Sequence, residues 1–432
     1  MNYETIKSFI LFVLVGISFL LSFILWTYQP KYDLLYDTSY VNEVDVGGSE
    51  KTKNELIEPG RIIFHKDEQI SGFKKPTERQ RFFKELASWV LYGYKETEAE
   101  GKPNSDRMVE IVFPSNIPGD VITNLFTFHD DVSGPTWDFD RVYITLDNDQ
   151  QTSELIIISA DNQRQISATI EKLETYYYLL SNIEDETEIT QPFTTFDFGA
   201  ETIYLPQEKT ELAKKTFIAS TIEPESFVNA LFASPSVVTP NANETYFTDG
   251  QRGMKIVQDG RRLEYINPLQ TSSNNVETID LIDKSMNQIN EHKGWTNNFL
   301  FERVDLTANQ INYRMYYEGY PTFDGYHLTT IEQMWRDQEL YKYNRPLVSV
   351  GNLLNSAEKT LPSGEEVVEK IANSNVLEHQ NIEDIRIGYT MQYVEDAYSL
   401  TLDPEWYILY DGNWLSYDSV DFKGTATKKG GD

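Results

Sequence analysis

Cysteine is missing from all 432 residues, which excludes disulfide frameworks, zinc–thiolate sites and cysteine nucleophiles. A chain without thiols suits an exported protein. Histidine is scarce as well: the five present include no H-x-x-x-H pair. Basic residues are few, with 37 Lys and Arg against 68 Asp and Glu, for a formal net charge of −31. Such a surface repels phosphate backbones and anionic headgroups, so nucleic acid is not an expected partner. No phosphate-binding glycine loop is present, because Gly47-Gly48-Ser49-Glu50-Lys51 lacks the spacing and the G-K-[ST] ending. Long hydrophobic runs are absent too, with one exception.

That exception runs SFILFVLVGISFLLSFILWTYQP, the 23 uncharged residues between Lys7 and Lys31. As a helix it would rise roughly 34 Å, enough for a hydrocarbon core of about 30 Å. Trp26 and Tyr28 stand at its outer end, where amphipathic rings settle among headgroups. The run is longer than a secretory h-region and exits without an A-x-A cleavage pattern, which predicts an uncleaved signal-anchor over 8–29. Residues 1–7 would stay cytoplasmic and the large polar body would lie outside the cell. Within the span, Ser18 and Ser22 are one turn apart and share a face with Leu11, Val15 and Leu25, flanked by Gly16. Small residues at this spacing let helix backbones approach closely, so this face is a candidate partner contact.

Aromatics are plentiful in the body, at 27 Tyr and 23 Phe, too many for a disordered stalk. The pattern predicts an α+β protein with a juxtamembrane connector (30–60), three folded units (61–191, 192–297 and 298–424) and a flexible tail (425–432). In the first unit, Thr77 and Gln80 have capping-box spacing, and Phe82, Phe83, Leu86 and Trp89 form an amphipathic stripe. RIIFHKDEQI, MVEIVF, RVYITL and ELIIIS read as strands, and Asp161 is expected to cap a long helix carrying Ile166, Ile170, Leu173, Tyr177 and Leu180. In the second unit a helix starts at Pro224, Asp259-Gly260 predicts a hairpin turn, and Ile279, Ile282, Met286 and Ile289 line a helix that stops at Gly294. The third unit is strand-rich, with Ser363 and Glu366 boxing the start of one helix. Units two and three each combine a tyrosine-rich antiparallel sheet with a well-formed helix, which suggests a duplicated module.

A membrane helix ending in WTYQP, then GMKIVQDGRRLEYINP, MYYEGYPTF, YNRP, LPSGEEVVEKI, IGYTMQY and LDPEWYILYDGNW, resembles the YycH (WalH) family. The resemblance spans nearly the whole chain in the same order, most specifically over 253–268 and 311–424. It implies a membrane-anchored accessory regulator of low-GC Gram-positive bacteria, with a three-domain extracytoplasmic body. It also implies control of the YycG (WalK) sensor histidine kinase that governs cell-wall metabolism, in complex with a YycI-like protein whose fold the last two domains share. Membrane helices are implied to carry much of the kinase contact.

Ser71-Gly72-Phe73-Lys74 matches S-x-x-K of serine acyl-transfer enzymes, but no K-T-G accompanies it, and Gly72 with Pro76 suits a turn. His129-Asp130-Asp131 reads as a loop. Asp147, Asp149 and Gln151 begin like a calcium loop, but Thr152 stands where Gly belongs and no Glu ends the motif. No catalytic residue, metal or cofactor is expected. For recognition by the body, Tyr316, Tyr317, Tyr320 and Tyr326 crowd one region near Trp335, together with Tyr313. A membrane-tethered cell-wall enzyme using Ser71 and a surface adhesin without signalling are the alternatives to a regulator.

Overall fold

Alternating apolar residues organise the chain into two large sheets with helices packed on their faces. The structure, a computed structural model, describes Val15 and residues 45–185, 189–197, 202–232, 234–241, 245–268, 278–336, 338–374 and 376–420. The expected membrane span and the tail therefore lie outside the described residues, apart from Val15, which is helical and exposed. Among the described residues no helix is long and apolar enough to cross a membrane. The described residues from 45 onward form one compact unit.

The first sheet has ten strands. Its order is Thr202–Pro206, Thr190–Asp197, Gln69–Phe73, Arg61–Lys66, Arg107–Pro118, Asp138–Asp147, Thr152–Ile158, Arg164–Ile170, Val90–Glu98 and Thr127–Phe128. All neighbours are antiparallel except the last pair. Period-two alternation sends Val109, Ile111 and Phe113 to one face, where Phe82 and Leu86 of the helix Pro76–Ala87 and Tyr176 and Leu179 of the helix Leu173–Ile183 cover them. The phenyl rings of Phe64 and Phe82 meet edge to face at 5.5 Å. Glu110 and Val112 point to the opposite face, beside Ile63 and Tyr204.

The second sheet has fourteen strands and spans the rest of the chain. Twelve follow one path: Thr239–Pro240, Tyr246–Thr248, Gly253–Val257, Arg262–Ile266, Glu339–Pro346, Thr330–Arg336, Gln310–Tyr317, Tyr320–Phe323, Ile382–Val394, Ser399–Tyr410, Thr210–Thr221 and Val348–Leu361. Phe299–Asp305 adds to Gln310–Tyr317, and Asn413–Ser416 adds to Ser399–Tyr410. The helix Gly364–Ala372 buries Val367, Val368 and Ile371 against Ile385, Trp406 and Ile408. Its Ser363–Glu366 capping box is formed as expected.

The strand pairing crosses the boundaries read from sequence. The first sheet continues to Pro206, past residue 191. Residues 262–266 pair with 342–346, so one sheet runs straight through the division at 297/298. Three local readings are corrected. Ile166 and Ile170 lie on a strand, Arg164–Ile170, and the helix begins only at Leu173. Asp161 instead holds the turn before that strand, accepting from the Gln163 amide at 3.1 Å. The helix at 76–87 has Lys75 at its N-cap and Pro76 in its first turn, so Thr77 is not a cap. RIIFHKDEQI is a hairpin rather than one strand, reversing where Asp67 takes a positive φ of 54°.

Candidate interaction surface

Most of the tyrosine-rich region turns inward. Tyr313 is enclosed, with its hydroxyl 2.9 Å from Ser285 Oγ and its ring edge-on to Trp295 at 4.9 Å. Tyr316 is only 7% exposed and Trp335 5%, the latter packed on Leu281 of the helix Thr278–Asn290. Tyr317 and Tyr320 both meet the buried ring of Tyr389 edge-on, at 5.6 and 6.1 Å. These rings sit on central strands, so their area is spent on the chain's own packing. Tyr326 differs: it is 64% exposed, on a turn pinned by Asp324, whose carboxylate accepts from the Tyr326, Leu328 and Thr329 amides. Sequence reasoning missed a second exposed feature, the outermost strand Val348–Leu361, which shows Leu353 and Leu354 to solvent. The alternation V-S-V-G-N-L-L just before the Ser363 cap was its signal. Of the span residues, Leu11, Gly16, Ser18, Ser22 and Leu25 lie outside the described residues.

The residues flagged for chemistry are not brought together. Ser71 sits mid-strand, opposite Phe64 and Pro192, so no helical turn carries Lys74 to its hydroxyl. His129 stacks on Tyr92 at 4.9 Å, exposed beside Asp130. Asp147 accepts from the Asp149 and Gln150 amides and closes a hairpin turn. Among the described residues no group of three acidic or histidine side chains converges as a metal would require.

Three charged assemblies do form, and each ties distant segments together. The first is Glu110, completely buried on the first sheet. It accepts from Arg141 at 2.6 Å, Tyr204 at 2.7 Å and Lys102 at 2.8 Å, and lies 3.0 Å from His65 Nε2. Burial alone would raise its pKa, but the His65 hydrogen bond and the Lys102 and Arg141 charges outweigh it and hold the carboxyl well below the usual range. Tyr204 is pushed up, by burial first and then by the adjacent carboxylate.

The second assembly joins the two sheets. Asp384 accepts from Arg61 Nη2 at 2.9 Å and from Arg386 Nε at 2.7 Å. Its burial is again outweighed, here by the two guanidinium charges, and its pKa is lowered. Nearby, Arg79 donates to the Gly319 carbonyl at 3.0 Å. Gly319 has φ +79°, and a Cβ there would stand 2.2 Å from Pro76, so only glycine lets this turn meet the helix start.

The third assembly fastens the connector. Val46 and Ser49 amides donate to the carbonyls of His292 and Trp295. Lys51 exchanges hydrogen bonds with Asn290 through its backbone, while its ammonium reaches Asn298 Oδ1 at 2.6 Å and the Phe299 carbonyl at 2.8 Å. Burial, opposed by Glu58 and Glu55, draws the Lys51 pKa down to about 8. Residues 46–51 of the expected connector are thus a strap clamped to the end of the helix Thr278–Asn290 and the residues that follow it.

The described residues define a two-sheet α+β body whose charged side chains bind its own segments to one another. The chain belongs to the YycH family, a family of regulatory proteins and not of enzymes: the YycH protein N-terminal domain matches residues 4–192 and the C-terminal domain residues 200–423. A relative in Bacillus subtilis (strain 168), the two-component system WalR/WalK regulatory protein YycH, is 22% identical over 441 residues, covering 95% of this chain and 96% of its own. The crystal structure of YycH from Bacillus subtilis superposes with a TM-score of 0.72 at 20% identity, covering 86% of this chain and 99% of that one. That likeness establishes the shared sheet-rich fold.

Proposed function

We propose that this protein is a non-enzymatic, membrane-anchored regulator of a two-component sensor histidine kinase of the WalK type. The observation that carries the reading is the end-to-end match with a relative named as a WalR/WalK regulatory protein. The 23-residue uncharged run supplies the anchor, with the body outside the cell. Contact with the kinase is assigned to the face of Leu11, Val15, Gly16, Ser18, Ser22 and Leu25, where small residues allow close helix approach. A YycI-like protein is the proposed second partner, and cell-wall metabolism the proposed output. Of the body tyrosines, Tyr326 alone retains the exposure a partner contact needs among those singled out.

A regulator shifts a two-state kinase only by binding one state better, and a bias of about 1–3 kcal/mol, roughly 5–150-fold, is typical. The test replaces residues 8–28 with an unrelated membrane span and measures transcription from kinase-controlled promoters, with body folding checked by circular dichroism. Altered output with a folded body supports the assignment. Output identical to wild type places the contact elsewhere.

A further inference from the structure

Where the two sheets meet, a half-open cavity of about 110 Å³ is lined by the start of the helix Pro76–Ala87, the Gly319 turn and the strand around Ile385. Its ionisable lining is one-sided. Arg61, Lys74, Arg79 and Arg386 face it, and no Asp or Glu does. This is unexpected in a chain with 68 acidic residues against 37 basic. Asp384 stands behind Arg61 and Arg386 and offsets part of that charge. Arg79 forms no ion pair among the described residues, although Glu58 acts on it through space; its burial lowers its pKa.

Among the described residues, two buried donors on this wall have no partner: Arg79 Nε and Thr210 Oγ1. Each such group left unmade costs free energy that a ligand acceptor would recover. The remaining wall is apolar and aromatic, with Phe193, Leu205 and Trp406. We propose that this cavity is a binding site for a small organic carboxylate, whose oxygens accept from Arg79 and Thr210 while a short apolar body rests on Phe193 and Trp406. A planar carboxylate matches the guanidinium fork, and the volume suits a small acid or the terminal carboxylate of a longer chain. Because the walls come from both sheets, an occupant would brace one against the other. The site does not depend on the kinase reading and stands or falls separately from it.

The test titrates the full-length protein in detergent micelles, at fixed ionic strength, with propionate, N-acetylalanine or inorganic phosphate, followed by calorimetry. Saturable binding of propionate is expected, weakened about tenfold or more by Arg79→Gln, since charge-assisted hydrogen bonds are the strong ones. Arg81→Gln, on an exposed side chain of the same helix, should leave it unchanged. Binding of N-acetylalanine as well marks a peptide carboxyl terminus as an accepted form; its failure beside propionate binding marks a free acid. If Arg79→Gln does not fold, Thr210→Val replaces it, with severalfold weakening expected. The proposal is overturned if neither carboxylate gives saturable heat, if the folded variant binds as wild type does, or if phosphate binds as tightly as propionate.

Discussion

Glu110 shows how a single side chain can hold a sheet face together. Its carboxylate is the shared acceptor for Arg141, Lys102 and Tyr204, which come from three separate stretches of chain. Removing the charge leaves the largely buried Arg141 and Tyr204 without their anionic acceptor, and breaking a buried pair in this way costs about 3–5 kcal/mol. Glu110→Gln should lower the urea midpoint of unfolding accordingly. The acid dependence follows from the lowered pKa. The folded state binds the proton less readily than the unfolded chain, whose Glu titrates near about 4.3. The stabilisation is therefore complete above that value and is lost as the pH falls below it towards the folded pKa. Between about pH 5 and pH 3 the wild type should lose more stability than Glu110→Gln, and unfolding curves across that range measure the difference.

At the scale of elements, the Ser363 cap and the Asp259-Gly260 turn were legible, while the caps expected at Thr77 and Asp161 did not form. Ser363 Oγ accepts from the Glu366 amide at 3.2 Å, and the Glu366 carboxylate accepts from the Ser363 amide at 2.9 Å. Ser363→Ala should cost about 1 kcal/mol, read as a drop in melting temperature. The Asp259-Gly260 hairpin is present too, as a wider loop in which Gln258, Asp259 and Gly260 all take positive φ. The helix expected over 161–180 shows why periodicity can mislead. Ile166 and Ile170 are four apart and fit a helix, but they are equally alternate members of the run Ile166, Ala168, Ile170, all buried on a strand. The inward-turned tyrosines were ambiguous for a related reason: aromatics favour both strand cores and interfaces, and only pairing decides between them. The connector strap was illegible because its partners, Asn290 to Phe299, lie some 240 residues away. Lys51 offers a test of it. Its folded pKa is about 8, below the unfolded value, so the unfolded chain holds more protons from pH 8 upward and stability rises through that window. Melting temperatures between pH 8 and pH 10 should climb in wild type and climb less in Lys51→Met.

For the whole molecule, the decisive contacts are those that lock the two sheets. Arg61 of the first and Asp384 and Arg386 of the second form one ion cluster, and no boundary read from sequence could show it, since the members are over 320 residues apart. Asp384→Asn strands two buried guanidinium groups and should destabilise the protein by about 3–5 kcal/mol. Hydrogen exchange should quicken at 61–66 and 382–394 before it does in the strand Thr152–Ile158, which neighbours neither. An even acceleration across all three segments would contradict the locking role.

The strap carries one more consequence, for the order in which the protein is made. Residues 46–51 leave the ribosome early, but their anchorage points at 290–299 emerge only after the whole first sheet. Residues 46–51 are thus among the earliest of the folded body to be synthesised and among the last to be fastened. A chain truncated before residue 290 would keep its first sheet and leave that stretch loose.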